Sequence, residues 1–257
     1  MRQRHIISGV DAKLLIKDAA KLMPNPARRG FLRGAASLGA LALLTGCDII
    51  DGDTAEGVLR KISSFNDGAQ AALFSRTKLA PTFPDSAITR PFPFNAYYDE
   101  DEAPEVDGSA YKFEIAGLVD NKKPWTLAEL HALPEVSQVT RHVCVEGWSA
   151  IGSWQGAQLS EFLKRIGADT KAKYVWFKCA EGYTNTIDMP TALHPQTQMS
   201  LKYDHKILPR AYGFPMKIRI PTKLGFKNPK YVVAMEVTNT DRGGYWENQG
   251  YNWFSGL

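Results

Sequence analysis

The chain has 257 residues, 44% of them apolar and 23% charged, which is ordinary for a globular protein with one good-sized core. Its net charge of +4 is concentrated at the front: residues 1–46 hold eight of the 31 basic and two of the 27 acidic side chains, leaving 23 against 25 and a balance near −2. No basic stripe with interleaved aromatics remains, so nucleic acid is excluded as a partner; without CxxC, HExxH or CxxCH, zinc fingers, zincins and c-type haem are excluded too.

In chain order, the first signal is Ala27-Arg28-Arg29-Gly30-Phe31-Leu32-Arg33 followed by an apolar run from Ala35 to Leu44. Paired arginines ahead of such a run read as a twin-arginine export signal. The run is too short to span a bilayer, which takes roughly 20 residues. It ends in Leu44-Thr45-Gly46-Cys47, which resembles a lipoprotein box. Cleavage there leaves residues 1–46 as a leader and Cys47 as an acylated membrane anchor. Asp48 resembles an inner-membrane retention signal. Within the leader, Leu14, Leu15, Ala19 and Leu22 have the spacing of a short amphipathic helix.

Residues 47–80 open as a small acidic tether, with Asp48, Asp51, Asp53 and Glu56. Val58, Leu59, Ile62 and Phe65, then Ala72, Leu73 and Phe74, predict helical pieces packed on the body. Residues 81–257 form the third segment. Pro81, Pro84, Pro91 and Pro93 impose an extended path toward Asn95. Residues 111–119 alternate as a strand, and Thr126 with Glu129 has the capping-box spacing of a short helix that stops before Pro134. A strand over 136–143 leads to Cys144, and an amphipathic helix over 159–166 is stopped by Gly167. Residues 174–179, 216–220 and 231–237 read as strands. Strands with few long helices predict an α+β domain with mixed sheets.

The chemistry is densest at Arg141-His142-Val143-Cys144-Val145-Glu146-Gly147-Trp148-Ser149, continuing through Gly152, Trp154 and Gly156. A cysteine at a strand end, followed by a turn rich in Gly, Ser and Trp, can hold a soft metal: a thiolate is a strong ligand, and coordination keeps it deprotonated. Spacing alone names no metal. In the stretch from Pro221 to Lys230, Lys223, Lys227 and Lys230 flank Gly225, so amides and ammonium groups can converge on a dianion. A solvated face is the other reading of those lysines. With Cys47 lipidated, Cys144 and Cys179 remain, and in an oxidising compartment composition alone favours a disulfide between them. His131, His194 and His205 have no ligand spacing.

The Cys144 segment resembles the cysteine motif of the sulfite-oxidase-like molybdopterin enzymes, particularly the periplasmic protein-methionine-sulfoxide reductase catalytic subunits. Other stretches agree in order. Pro91-Phe92-Pro93-Phe94-Asn95-Ala96-Tyr97-Tyr98 resembles the pterin-holding loop, and Gly182-Tyr183 through Met189-Pro190 resembles the segment after the cysteine strand. Pro221-Thr222-Lys223-Leu224-Gly225-Phe226-Lys227-Asn228-Pro229-Lys230 resembles the loop that receives the cofactor phosphate. The likeness covers about residues 81–257.

The resemblance implies a sulfite-oxidase-like molybdopterin-binding fold and molybdenum with molybdopterin as cofactor. Cys144 is the implied metal ligand and catalytic residue. Asn95, Tyr98, Asp99, His142, Cys179, Lys217, Lys227, Asn228, Pro229 and Lys230 are the implied cofactor contacts. Two positions depart from the pattern. Lys217, after Tyr212, stands where an arginine follows an asparagine, and Cys179 stands where the methionine-sulfoxide reductases carry a threonine. Cys179 either lines the pocket or is an inert core cysteine. Glu146 braces the loop. The family's C-terminal immunoglobulin-like dimerisation domain has no room here, so a monomeric catalytic subunit is expected.

The implied activity is two-electron oxygen-atom transfer at sulfur. Phe94 replaces the arginine that sulfite oxidases place before the pterin-loop asparagine, which leans toward a neutral sulfoxide. Sulfite dehydrogenation on the same scaffold is the alternative, and a non-catalytic lipoprotein with a Cys144–Cys179 disulfide is a third reading. No second redox motif is visible, so the resemblance implies electrons from a membrane haem b or other quinone-linked subunit. Twin-arginine export of a folded protein to the periplasm suits a cofactor inserted beforehand. The aromatic groups Gly244-Tyr245-Trp246 and Tyr251-Asn252-Trp253-Phe254 either close the core or form a docking patch.

Overall fold

The computed structural model describes residues 52–257, with side chains from Gly57 onward. The twin-arginine motif, the apolar run, the Leu14–Leu22 pattern and Cys47 lie outside the described residues. The chain divides into two units, one ending at Ile62 and one running from Ser63 to Leu257. Helix α1 (Gly52–Leu73) begins inside the stretch expected to be a tether. Thr54-Ala55-Glu56 contains no helix breaker, and Ala and Glu are strong helix formers. Within the second unit, Phe65 and Leu73, expected to pack on the body, are exposed, Phe65 by 79% and Leu73 by 86%. The polar edge is used instead. Asp67 accepts from the Phe254 amide at 2.8 Å and Gln70 from the Gly256 amide at 2.9 Å. Just beyond the helix, Phe74 meets Phe254 edge-on.

The rest builds two five-stranded sheets. In chain order the elements are β1 (Lys112–Gly117), β2 (Trp125–Thr126), α2 (Leu127–His131), β3 (Val136–Val143), β4 (Ser149–Gln158), α3 (Leu159–Arg165), β5 (Tyr174–Cys179), β6 (Thr184–Asp188), α4 (Met189–Ala192), β7 (Gln198–Tyr203), β8 (Lys206–Ile207), β9 (Lys217–Arg219) and β10 (Val232–Thr238). One sheet has the order β2-β1-β10-β5-β6, with β1 parallel to β10 and its other pairs antiparallel. The other runs β3-β4-β7-β8, with β9 on β7. This is the α+β, mixed-sheet architecture expected.

Local rules act as the sequence implies. The Thr126 side chain accepts from the Glu129 amide while Glu129 reaches back to the Thr126 amide, a complete capping box. Gly167 ends the α3 segment at φ +63°, a conformation that suits glycine. One element differs. Residues 149–158, expected as a turn, are the ten-residue strand β4, paired along its length with β3. Its glycines serve packing: a Cβ on Gly156 would lie 1.9 Å from the Met199 carbonyl oxygen of β7.

Phe113, Phe162, Leu163, Val175, Phe177, Met199, Ile218, Met235 and Val237 form the main core. Burying each such side chain contributes roughly 1.5–3 kcal/mol. A smaller cluster, Phe92, Ala150, Trp154, Tyr203 and Leu208, packs under the start of β4. These cores fix the C-terminal end of β3, the turn after β5 and the chain between β9 and β10, whose ends share one recess.

Candidate functional site

Cys144 leaves β3 in a tight turn: its amide donates to Trp148 O at 2.9 Å, and the Gly147 amide donates to Cys144 O at 3.2 Å, with Gly147 at φ +93°. The thiol is 4% exposed and lines a recess of about 580 Å³, counting the space at its mouth. Asn95 Nδ2 donates to Sγ at 3.5 Å, and Sγ lies 3.7 Å from Glu146 Oε2, which also accepts from Trp148 Nε1 at 2.9 Å. Burial pushes the Cys144 thiol up, so its thiolate calls for a bound cation.

Among the described residues, no cluster of three or more His, Cys, Asp or Glu could hold a metal. A metal on Cys144 would draw its remaining ligands from a cofactor. Asn95, Tyr98, Asn228, Pro229 and Lys230 line the recess with Cys144. The Tyr98 hydroxyl is buried there with no hydrogen-bond partner. His142 is fully buried one strand position from the cysteine's neighbour, with both ring nitrogens unpartnered. Burial holds its pKa well down, with Lys217, Arg219 and Lys230 adding to the effect, so the ring is neutral. Gly225 presses on it: a Cβ there would lie 2.5 Å from His142 Nε2.

Behind the recess is a group of buried cations. Lys217 is 2% exposed, with Nζ 4.7 Å from the Trp154 ring centre. Arg219 is fully buried; it donates to Asn228 Oδ1 at 2.8 Å and to Arg141 O at 2.6 Å, tying the loop before β10 to β3. Lys230 donates to Ala211 O at 3.2 Å and lies 4.2 Å over the Phe94 ring. Among the described residues no carboxylate forms an ion pair with any of the three. Burial lowers all three pKa values, Lys217 well down, Arg219 to about 9 and Lys230 to about 8. Buried cations without counter-ions call for an anionic ligand. A thiolate donor, unpartnered ring and phenol groups, and a cationic floor together fit a metal carried on an anionic pterin.

Other predicted residues lie apart. Asp99 is exposed and caps the 3-10 turn Glu100–Glu102. Lys227 is buried against Glu247 and donates to Thr186 O, away from the recess. Lys223 donates to Phe254 O at 2.9 Å and faces the Phe74 and Phe254 rings. Cys179 is wholly buried in the main core, and both it and Cys144 are free thiols. The disulfide reading is therefore overturned: both thiols are free, Cys144 in the turn after β3 and Cys179 at the end of β5 in the other sheet.

The sequence reading missed Arg219, Glu181, Tyr183 and Trp246. The last three line the recess. Alternation along β9, which buries both Lys217 and Arg219, is the signal that would have found the arginine. The C-terminal aromatics divide between the two readings: Phe254 is core, whereas Tyr245 stacks on Tyr97 at 4.6 Å and Trp246 reaches the recess.

Comparison with known proteins agrees with this geometry. Residues 100–246, more than half of the chain, match the family described as oxidoreductase molybdopterin-binding domain. Over 257 residues the chain is 57% identical to the protein-methionine-sulfoxide reductase subunit YedZ1 of Azospira oryzae, a name given there as provisional; the alignment covers 99% of this chain and 98% of that protein. It is 28% identical over 158 residues to the protein-methionine-sulfoxide reductase catalytic subunit MsrP of Burkholderia mallei, covering 55% of this chain and 48% of that one. The sulfane dehydrogenase SoxCD of Paracoccus pantotrophus shares the fold, with a TM-score of 0.51 and 17% identity over 54% of this chain and 40% of its own. The recess around Cys144 thus sits within a shared domain, and the chain belongs to the molybdopterin-binding oxidoreductases of sulfite-oxidase-like fold.

Proposed function

We propose that this enzyme is exported by the twin-arginine route to the periplasm, is held at the inner membrane through acylated Cys47, and reduces a sulfoxide of the methionine sulfoxide type. Electrons come from a membrane haem b or other quinone-linked subunit. The names borne by the YedZ1 and MsrP relatives support the substrate class. Among the described residues no helix is long and apolar enough to cross a membrane; the reading of an anchor rests on the Leu44-Thr45-Gly46-Cys47 stretch.

In this reading Cys144 holds the metal. Asn95, Tyr98, His142, Asn228, Pro229 and Lys230 hold the pterin, and Lys217 and Arg219 offset its negative charge from beneath. When bound, the molybdenum group supplies two-electron oxygen-atom transfer at sulfur. The chain's own side chains position and exclude. Asn95 Nδ2 fixes the sulfur of Cys144 at 3.5 Å, Glu146 and Trp148 brace the turn, and Tyr97, Tyr183 and Trp246 supply an aromatic wall.

The observation that carries the choice of substrate is the residue before Asn95, which is Phe94. Glu146 and Glu181 line the recess, Phe94 occupies the place of a guanidinium, and no arginine is among the lining residues. Without a guanidinium to receive a small anion, the recess suits a neutral sulfoxide better than sulfite. Holoenzyme supplied with a reduced dye is expected to turn over peptidyl or free methionine sulfoxide. Sulfite oxidation with an artificial acceptor at an equal or greater kcat/KM would overturn the assignment.

A further inference from the structure

Reducing a sulfoxide to a sulfide and water consumes two protons, and the site contains one carboxyl group that no structural duty claims. Glu146 is occupied, since its Oε2 accepts from Trp148 Nε1 and faces Cys144 Sγ. Glu181 is not. It sits in the turn between β5 and β6, fixed by the Cys179 amide donating to Tyr183 O at 2.9 Å and the Gly182 amide donating to Cys179 O at 3.1 Å, with Gly182 at φ +88°. It lines the recess with Cys144, and its Oε2 is buried with no hydrogen-bond partner. A buried carboxyl oxygen left without a donor is costly as a carboxylate and cheaper as an acid.

We propose that Glu181 is the proton donor of this site, delivering its carboxyl proton to the oxygen that leaves the sulfoxide sulfur. This rests on the sulfoxide-reductase reading above. In the overall step the S–O bond breaks, sulfur gains two electrons, and the oxygen gains two protons and departs as water. The two electrons are those of the quinone-linked donor named above. One proton comes from Glu181 and the other from solvent, which also reprotonates Glu181 through the open mouth.

The surroundings suit the role. Burial pushes the Glu181 carboxyl up to about 7, against a downward pull from its own backbone amide and from Lys230. Tyr97 and Tyr98 face it from the loop after Asn95, Tyr231 stands beside Lys230, and Cys179 and Tyr183 flank it on its own turn. Burial raises all five of these groups, so they stay neutral at pH 7, and Lys230 is the facing cation. A donor whose pKa lies near the working pH is the efficient one.

The test uses holoenzyme with measured molybdenum content, wild type beside Glu181→Gln and Glu181→Asp. Infrared titration should show a neutral carboxyl band in the wild type that fades near pH 7 and is missing from Glu181→Gln, a readout independent of turnover. With methionine sulfoxide and a reduced dye, wild-type kcat should fall above that pH. In Glu181→Gln, kcat should drop roughly 100-fold and lose this limb, while KM changes little. Glu181→Asp should keep a shifted limb, and it serves as the test if the glutamine variant does not fold. A band unaffected by the substitution, or a Glu181→Gln enzyme within twofold of wild type with the same limb, overturns the proposal. Wild-type holoenzyme that reduces no sulfoxide overturns the substrate reading instead.

Discussion

At the scale of single residues, the site is a place where stability is given up for binding. Lys217 is buried, makes no ion pair among the described residues, and rests on the Trp154 ring. An unpaired buried charge destabilises the folded chain until an anion reaches it. Lys217→Met keeps the stem and removes the charge. The cofactor-free variant is expected to be about 1–3 kcal/mol more stable than wild type in urea denaturation, yet to retain about tenfold less cofactor. Equal stability together with equal cofactor retention would show that the ammonium group serves neither end. Lys227, by contrast, has its carboxylate in Glu247, which is why the phosphate loop divides: Lys230 reaches the recess while Lys223 and Lys227 are held within the fold.

Among the elements, β3 and β5 run over the residues expected of them, and α2 starts at its capping box. Strand β4 was not legible. Its Gly152 and Gly156 read locally as turn residues, whereas the reason for them is tertiary: β7 passes so close that a Cβ on Gly156 would overlap the Met199 carbonyl. Gly156→Ala is expected to destabilise the domain by about 2–3 kcal/mol, measured by the midpoint of urea unfolding. A neutral result would mean that β7 can retreat from β4. Helix α1 misled in the opposite sense. Its periodicity is genuine, but periodicity cannot say which edge meets the body, and here Asp67 and Gln70 do so through hydrogen bonds to the C-terminal segment. The cysteine, Asn95 and Lys230 were legible because short motifs carry them. Glu181, Arg219 and Trp246 were not, because only the folded sheets bring them near Cys144 or its supporting loop.

For the molecule as a whole, one metal ligand from the chain implies that the catalytic group arrives preassembled, and an export route for folded proteins is the physical complement of that requirement. The domain presents aromatic side chains in one recess with buried cations behind it, and the proposed function places a membrane anchor and electron donor outside it. All of this depends on Cys144 holding molybdenum. The most direct measurement is therefore molybdenum and pterin content of protein exported with its own leader, beside Cys144→Ser. The account predicts about one molybdenum per wild-type chain, with metal lost or inactive in the variant. Folded, full-length wild-type protein without molybdenum, made in a host able to synthesise the cofactor, would contradict it.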